Sequence, residues 1–123
     1  MRHRKSNLRL NEKPAHGRMV ERNLVTSLLL YEAIRTTRKR ARVIRPIVDR
    51  LIATAKRQTP QIAIRSINTL VTDRNASRKI MEVLRERYKN RTSGFTRAVA
   101  VGSRKGDGAE MVDLSLVDSE SSK

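Results

Sequence analysis

The 123-residue chain predicts an α+β fold. A basic N-terminal arm precedes a helix, a short strand, three helices and a C-terminal β-hairpin, and a small three-stranded sheet carries the helices on one face. Three observations lead there. Apolar residues recur at helical spacing through four stretches of the chain. A short β-branched piece, AIRTT, separates the first two stretches. After NRTSG the apolar period changes to two and holds through FTRAVAV and EMVDLSLV.

The opening residues, MRHRKSNLRLNEKPAHGR, contain six Arg or Lys, two His and one Glu. Met1, Leu8 and Leu10 are their larger apolar side chains, and no period relates them. Residues 1–15 are therefore expected as an extended arm that no protein core requires. A transit peptide would need an amphipathic stripe, which Leu8 and Leu10 do not make. From His16, Val20, Leu24, Leu28 and Tyr31 fall on one helical face. Gly17 in its first turn costs up to about 1 kcal/mol of helix propensity.

AIRTT then reads as a short strand, and Thr37 is a good N-cap for the next helix. That helix carries Ala41, Ile44, Ile47 or Val48, Leu51 and Ala55 on one face, with Pro46 inside it. Because the stripe continues on both sides of Pro46, a single helix with a bend is expected. Thr59 and Pro60 open a third helix with Ala63, Ile67 and Leu70 inward; the alternation of Ile62 and Ile64 leaves a strand as the competing reading. Asp73 caps a fourth, with Ala76, Ile80, Val83 or Leu84, and Tyr88 on its face. Two strands joined by GSRKGDGA close the fold as a hairpin. The division is thus an arm at 1–15, one domain at 16–118 and a polar tail at 119–123.

The formal charge of +16 speaks to partners. Residues 1–106 hold 27 of the bases and 7 of the acids, whereas 107–123 hold one base and five acids. Arg outnumbers Lys, 20 to 8, and the planar guanidinium matches phosphate oxygens and stacks on bases. A structured nucleic acid therefore fits better than an anionic membrane. With aromatics only at Tyr31, Tyr88 and Phe95, an aromatic platform for single strands is excluded.

The sharpest local feature is RTTRKRARVIR, residues 35–45, with six bases and no acid: Arg35, Arg38, Lys39, Arg40, Arg42 and Arg45. Cations in a helix's first turn oppose its dipole. An anion there reverses the sign, because free N–H groups and cationic side chains converge on it. The arm supplies a second set, Arg2, Arg4, Lys5, Arg9 and Lys13, continued by Arg18; basic arms commonly order only on their partner.

Chemistry is otherwise thinly represented. There is no cysteine, and His3 and His16 are the only histidines, too few for a metal centre. No nucleophile–base or carboxylate pair stands out, so neither an enzyme, a cofactor nor a small-molecule substrate is expected. No apolar run approaches a membrane span.

Several short matches run in order along nearly the whole chain: MRHRKS at the start, Leu10–Asn11, His16, Arg22–Asn23, E-x-I-x-T-T from Glu32 to Thr37, L-I-x-x-A-K from Leu51 to Lys56, GFTR at 94–97, and GDGA followed by Met111 and a closing LV. Together they resemble the bacterial large-subunit ribosomal protein L17 family. The resemblance implies a non-catalytic structural role on large-subunit rRNA near the nascent-chain tunnel exit, in the cytoplasm. It also implies neighbouring ribosomal proteins as partners, including the small zinc-ribbon protein of the L32 family. The RNA-contact residues it carries over are Arg2, His3, Arg4, Lys5, Ser6, Asn11, His16, Arg22, Asn23, Thr36 and Thr37, with Arg97 at the hairpin. The chain departs from the family's usual residues at Asn7, Gly17, Tyr31 and Ala100. The alternative reading is a nucleoid-type non-specific DNA-binding protein, which shares the charge but calls for a groove-reading element or minor-groove wedge.

Overall fold

The computed structural model describes residue 10 and residues 12–117. Helix α1 spans Pro14–Tyr31, strand β1 Ala33–Thr37, helix α2 Arg38–Arg57 and helix α3 Pro60–Asn68. A continuous helical run follows, made of α4 Arg74–Lys79, a π-helical stretch Ile80–Leu84 and α5 Arg85–Arg87. Strands β2 Thr96–Ser103 and β3 Glu110–Leu116 form the hairpin. The sheet order is β1-β3-β2, antiparallel throughout.

Helix α1 starts at Pro14, two residues before the expected start at His16. Proline suits the first helical turn, where its missing N–H has no acceptor to lose. The Gly17 N–H closes that turn on the Lys13 carbonyl at 2.8 Å. The buried face is Val25, Leu28 and Leu29, rotated from the expected stripe, and Tyr31 is 73% exposed. The helix ends at Glu32 in the left-handed region, φ 64°. Lys79 Nζ donates to the Leu30 carbonyl at 3.0 Å, satisfying an acceptor that the helix end leaves open.

Helix α2 runs unbroken through Pro46. Its cap is as expected: the Arg40 N–H donates to Thr37 Oγ1 at 3.4 Å. Ala41, Ile44, Val48, Leu51, Ile52 and Ala55 are buried against α1, α3 and the sheet. Thr59–Pro60 opens a helix rather than a strand, because Ala63 and Ile67 share the buried face while Ile62 and Ile64 stay exposed. In the last helical run Ala76, Ile80, Leu84 and Tyr88 are all fully buried. A four-residue step overshoots an α-turn of about 3.6 residues; the wider π turn absorbs the overshoot and keeps the stripe on one side.

The register fixes two sheet faces. Ile34, Thr36, Val112, Leu114, Leu116, Thr96, Ala98 and Ala100 pair across on the side of the helices, and Arg35, Asp113, Ser115 and Arg97 on the outer side. Tyr88 joins the layers: its ring lies 5.2 Å from Phe95, and its hydroxyl donates to the Val117 carbonyl. A polar seam ties α1 to the α3–α4 connection. Arg22 Nε donates to the Leu70 carbonyl at 3.2 Å, and the Thr72 N–H donates to Thr26 Oγ1 at 3.1 Å.

Candidate nucleic-acid interface

The 35–45 run sits where β1 turns directly into α2, so its bases leave on three sides. Arg35 lies on the outer sheet face; Arg38, Lys39 and Arg40 form the first turn of α2; Arg42 and Arg45 lie farther along the helix toward β2. Thr37 caps the Arg40 N–H, so the N–H groups of Arg38 and Lys39 remain without an intrahelical acceptor. The helix dipole and those donors favour an anion at this end, while the side chains of the run fan out around it.

Acids remote in the sequence reach this run. Arg35 holds Asp113 through two bonds, 2.8 and 3.3 Å, across the β1–β3 pair. Arg38 Nη1 lies 2.9 Å from Glu110, and Arg40 lies 3.6 Å from Glu12, which also receives His16 Nε2 at 3.1 Å. These are surface pairs and contribute little to stability. Their effect is to orient the guanidinium groups. The Arg35 guanidinium holds the Asp113 carboxyl below the usual carboxylate range, first by hydrogen bonding and then by charge. Asp113 in turn raises Arg35. The side chains of Lys39 and Arg42 make no hydrogen bond or ion pair among the described residues and are exposed. One signal for these acids was present in the sequence: Asp113 alternates with the inward Val112 and Leu114, which places it on the same outer face as Arg35 once the strands pair.

The remaining candidates divide. Arg2, His3, Arg4, Lys5, Ser6, Arg9 and Asn11 lie outside the described residues. Lys13, His16, Arg18 and Asn23 are exposed on or before α1. Arg22 is half-buried in the seam to Leu70. Thr36 is buried on the helix side of β1, and the Thr37 hydroxyl is engaged in capping. Arg45 leans on β2, donating to Thr96 Oγ1 at 3.3 Å and to the Thr96 carbonyl at 3.4 Å. Arg97 is exposed on the outer sheet face opposite Ser115.

Two features escaped the sequence reading. A groove of about 650 Å³ separates α2 from β2, walled by Arg38, Arg42 and Arg45 on one side and Ala98, Ala100 and Gly102 on the other. A smaller groove of about 500 Å³ lies beside the C-terminal half of α2, between Arg50, Lys56 and Arg57 and the 92–95 loop. Asp49 lines it; burial pushes its carboxyl up, against the Phe95 N–H, Arg45 and Thr96, which hold it down. Among the described residues no group of His, Cys, Asp and Glu is placed to hold a metal ion, and no helix is long and apolar enough to cross a membrane.

Comparison with known proteins adds an independent line. Residues 20–117 match the model of the family described as ribosomal protein L17. Large ribosomal subunit protein bL17 of Syntrophotalea carbinolica is 40% identical over 120 residues, covering 98% of this chain and 77% of the relative. The bL17 protein of Pelobacter propionicus is 38% identical, with 98% and 94% covered, and that of Petrotoga mobilis 36% identical, with 98% and 99% covered.

Proposed function

The chain belongs to the ribosomal protein L17 family, and from that premise we propose how it serves the large ribosomal subunit: as a rigid α+β body that holds folded rRNA through cations displayed around the start of α2. It is a structural, non-enzymatic component of the ribosome in the cytoplasm. The observation that carries the reading is the match along nearly the whole chain to large-subunit proteins. The geometry supports it. The first turn of α2 offers N–H donors without an intrahelical acceptor beside the exposed Lys39, with Arg42 one turn farther on, and Glu12, Glu110 and Asp113 pair with the arginines around them. Nothing favours the DNA-binding alternative.

The arm residues Arg2, His3, Arg4, Lys5, Ser6, Arg9 and Asn11 extend the same interface along phosphates, and Lys13, His16, Arg18 and Asn23 continue it onto α1. The site lies near the tunnel exit with an L32-family protein as a neighbour; crosslinking within assembled subunits reads both placements. Binding of the free chain should fall steeply with salt. About six to ten phosphate contacts correspond to roughly three to five decades of affinity between about 50 and 200 mM salt on duplex values. The direct test is sedimentation of a native-source lysate followed by a high-salt wash of the ribosomal peak. Retention near one copy per large subunit is expected; a chain that runs free or leaves with bulk DNA overturns the reading.

A further inference from the structure

Strand β2 is uncovered beyond its first residue. Thr96 is buried, yet every residue from Ala98 to Ser103 is exposed, including those whose register places them on the helix side. Helix α2 does not close over them; the groove of about 650 Å³ lies between. One wall carries Arg38, Arg42 and Arg45, and the other is low because Ala98, Ala100 and Gly102 are small. Among the described residues Glu110 is the one acid lining this groove, and it pairs with Arg38 at 2.9 Å. The groove is therefore cationic along one side and offers bare backbone along the other.

β2 is also an edge strand, since the sheet order is β1-β3-β2. Edge strands present alternating N–H donors and C=O acceptors, and soluble proteins usually guard them with charged side chains. In this strand only Arg97 is charged, although the chain carries 28 bases. Val99 and Val101 are 51% and 42% exposed. An edge this bare beside three arginines fits a partner that brings its own negative charge.

We infer that the free edge of β2 and the α2–β2 groove behind it take the ribose–phosphate backbone of an RNA strand. The phosphates face Arg42 and Arg45, and the edge N–H and C=O groups meet phosphate oxygens and ribose 2′-hydroxyls. The chemistry matches in both directions. Phosphate oxygens only accept, whereas a 2′-hydroxyl both donates and accepts, so an edge exposing donors and acceptors alternately distinguishes RNA from DNA. An added peptide strand fits less well. The register shifts between Ala100 and Gly102, which breaks the regular ladder such a strand would extend. Ala98 and Ala100 bring no charge, so this strand contributes backbone and the helix contributes cations. The placement within the ribosome rests on the function proposed above; the preference for ribose does not.

Two measurements test it on the full chain. First, the free protein is titrated with poly(U) and poly(dU) at fixed salt, alongside Ala98→Glu and Arg42→Gln, neither of which removes a hydrogen bond within the described residues. The wild type should prefer poly(U) by about fivefold. Ala98→Glu should erase the preference while circular dichroism stays unchanged, and Arg42→Gln should weaken both polymers. Equal binding of the two polymers by the wild type, or a preference that survives Ala98→Glu, overturns the inference. Second, a photoreactive benzoylphenylalanine replaces Ala100 in cells, with a control at the exposed Val83, and large subunits are isolated. Crosslinks from position 100 to rRNA support the placement. Crosslinks to a ribosomal protein, or none from a chain that co-sediments, overturn it. A chain absent from large subunits overturns the proposed function instead and leaves the poly(U) result to decide the rest.

Discussion

The run from Ala76 to Tyr88 and the strand from Thr96 to Ser103 both carry aliphatic residues at regular spacing, and they meet opposite fates. In the first, Ala76, Ile80, Leu84 and Tyr88 are each fully buried, and a π turn keeps them on one side. In the second, only Thr96 is buried. The difference lies in what faces each element. The helical run meets α1, α2 and α3, whereas β2 passes the end of the helical layer and meets a groove lined by arginines. The helical run shows a surface completed by its own chain, and the strand one that the described residues leave exposed. Polar groups follow the same division: no buried side-chain nitrogen or oxygen among the described residues lacks a hydrogen bond, while Lys39 and Arg42 are exposed.

Substitutions sharpen the contrast, beginning with the largest effect. Leu84→Ala and Tyr88→Ala each leave a cavity in the fully packed layer and should cost about 2–5 kcal/mol in denaturant unfolding. Val99→Ala on the exposed strand should change stability by less than about 0.5 kcal/mol. Comparable losses at the two sites would erase the distinction. Thr37→Ala removes the side-chain cap at the junction of strand and helix and should cost about 1 kcal/mol, read from the same unfolding curves. Lys39→Gln should leave those curves unmoved and lower the slope of log affinity against log salt for large-subunit rRNA by about one; a shifted unfolding midpoint would give Lys39 a structural part instead.

The smallest effects are in titration, where two aspartates move in opposite directions. Asp113 is held below its ordinary 3.8 by Arg35 on the open sheet face. Its contribution to stability is present above the unfolded value and is lost as pH falls through the folded one. Asp49 is raised above 3.8 by burial. Its contribution is present below the unfolded value and is lost as pH rises through the folded one. Carboxyl NMR titration should order them Asp113 below Asp49, and Arg35→Gln should move Asp113 upward while leaving Asp49 in place. The reverse order would contradict the pairing across β1 and β3.

Much of this was legible in the residues. AIRTT forms the strand Ala33–Thr37 to the residue, Thr37 caps α2, and Asp73 caps the last helical run. The pattern around Pro46 sufficed because α2 keeps its stripe on both sides of it. The face of α1 was misread for a physical reason: with Val20, Leu24, Val25, Leu28, Leu29 and Leu30 the helix offers more than one apolar stripe, and which is buried depends on neighbours packed from elsewhere in the chain. Tyr31 consequently lies outside. The site was half legible. Local cationic density marked the start of α2, but Glu12, Glu110 and Asp113 reach it only through tertiary pairing. The bare edge of β2 was hidden for the same reason. Alternation shows that two faces exist, and only strand order shows which strand lies at the margin.

The most direct test is amide hydrogen exchange of the full chain, free and within the large subunit. The account predicts that the amides of Ile80, Leu84 and Tyr88 are slow in both states. Amides of Ala98–Ser103 on the open edge should exchange quickly in the free protein and slow in the subunit. Edge amides equally fast in both states, or a helical run protected only after assembly, would contradict it.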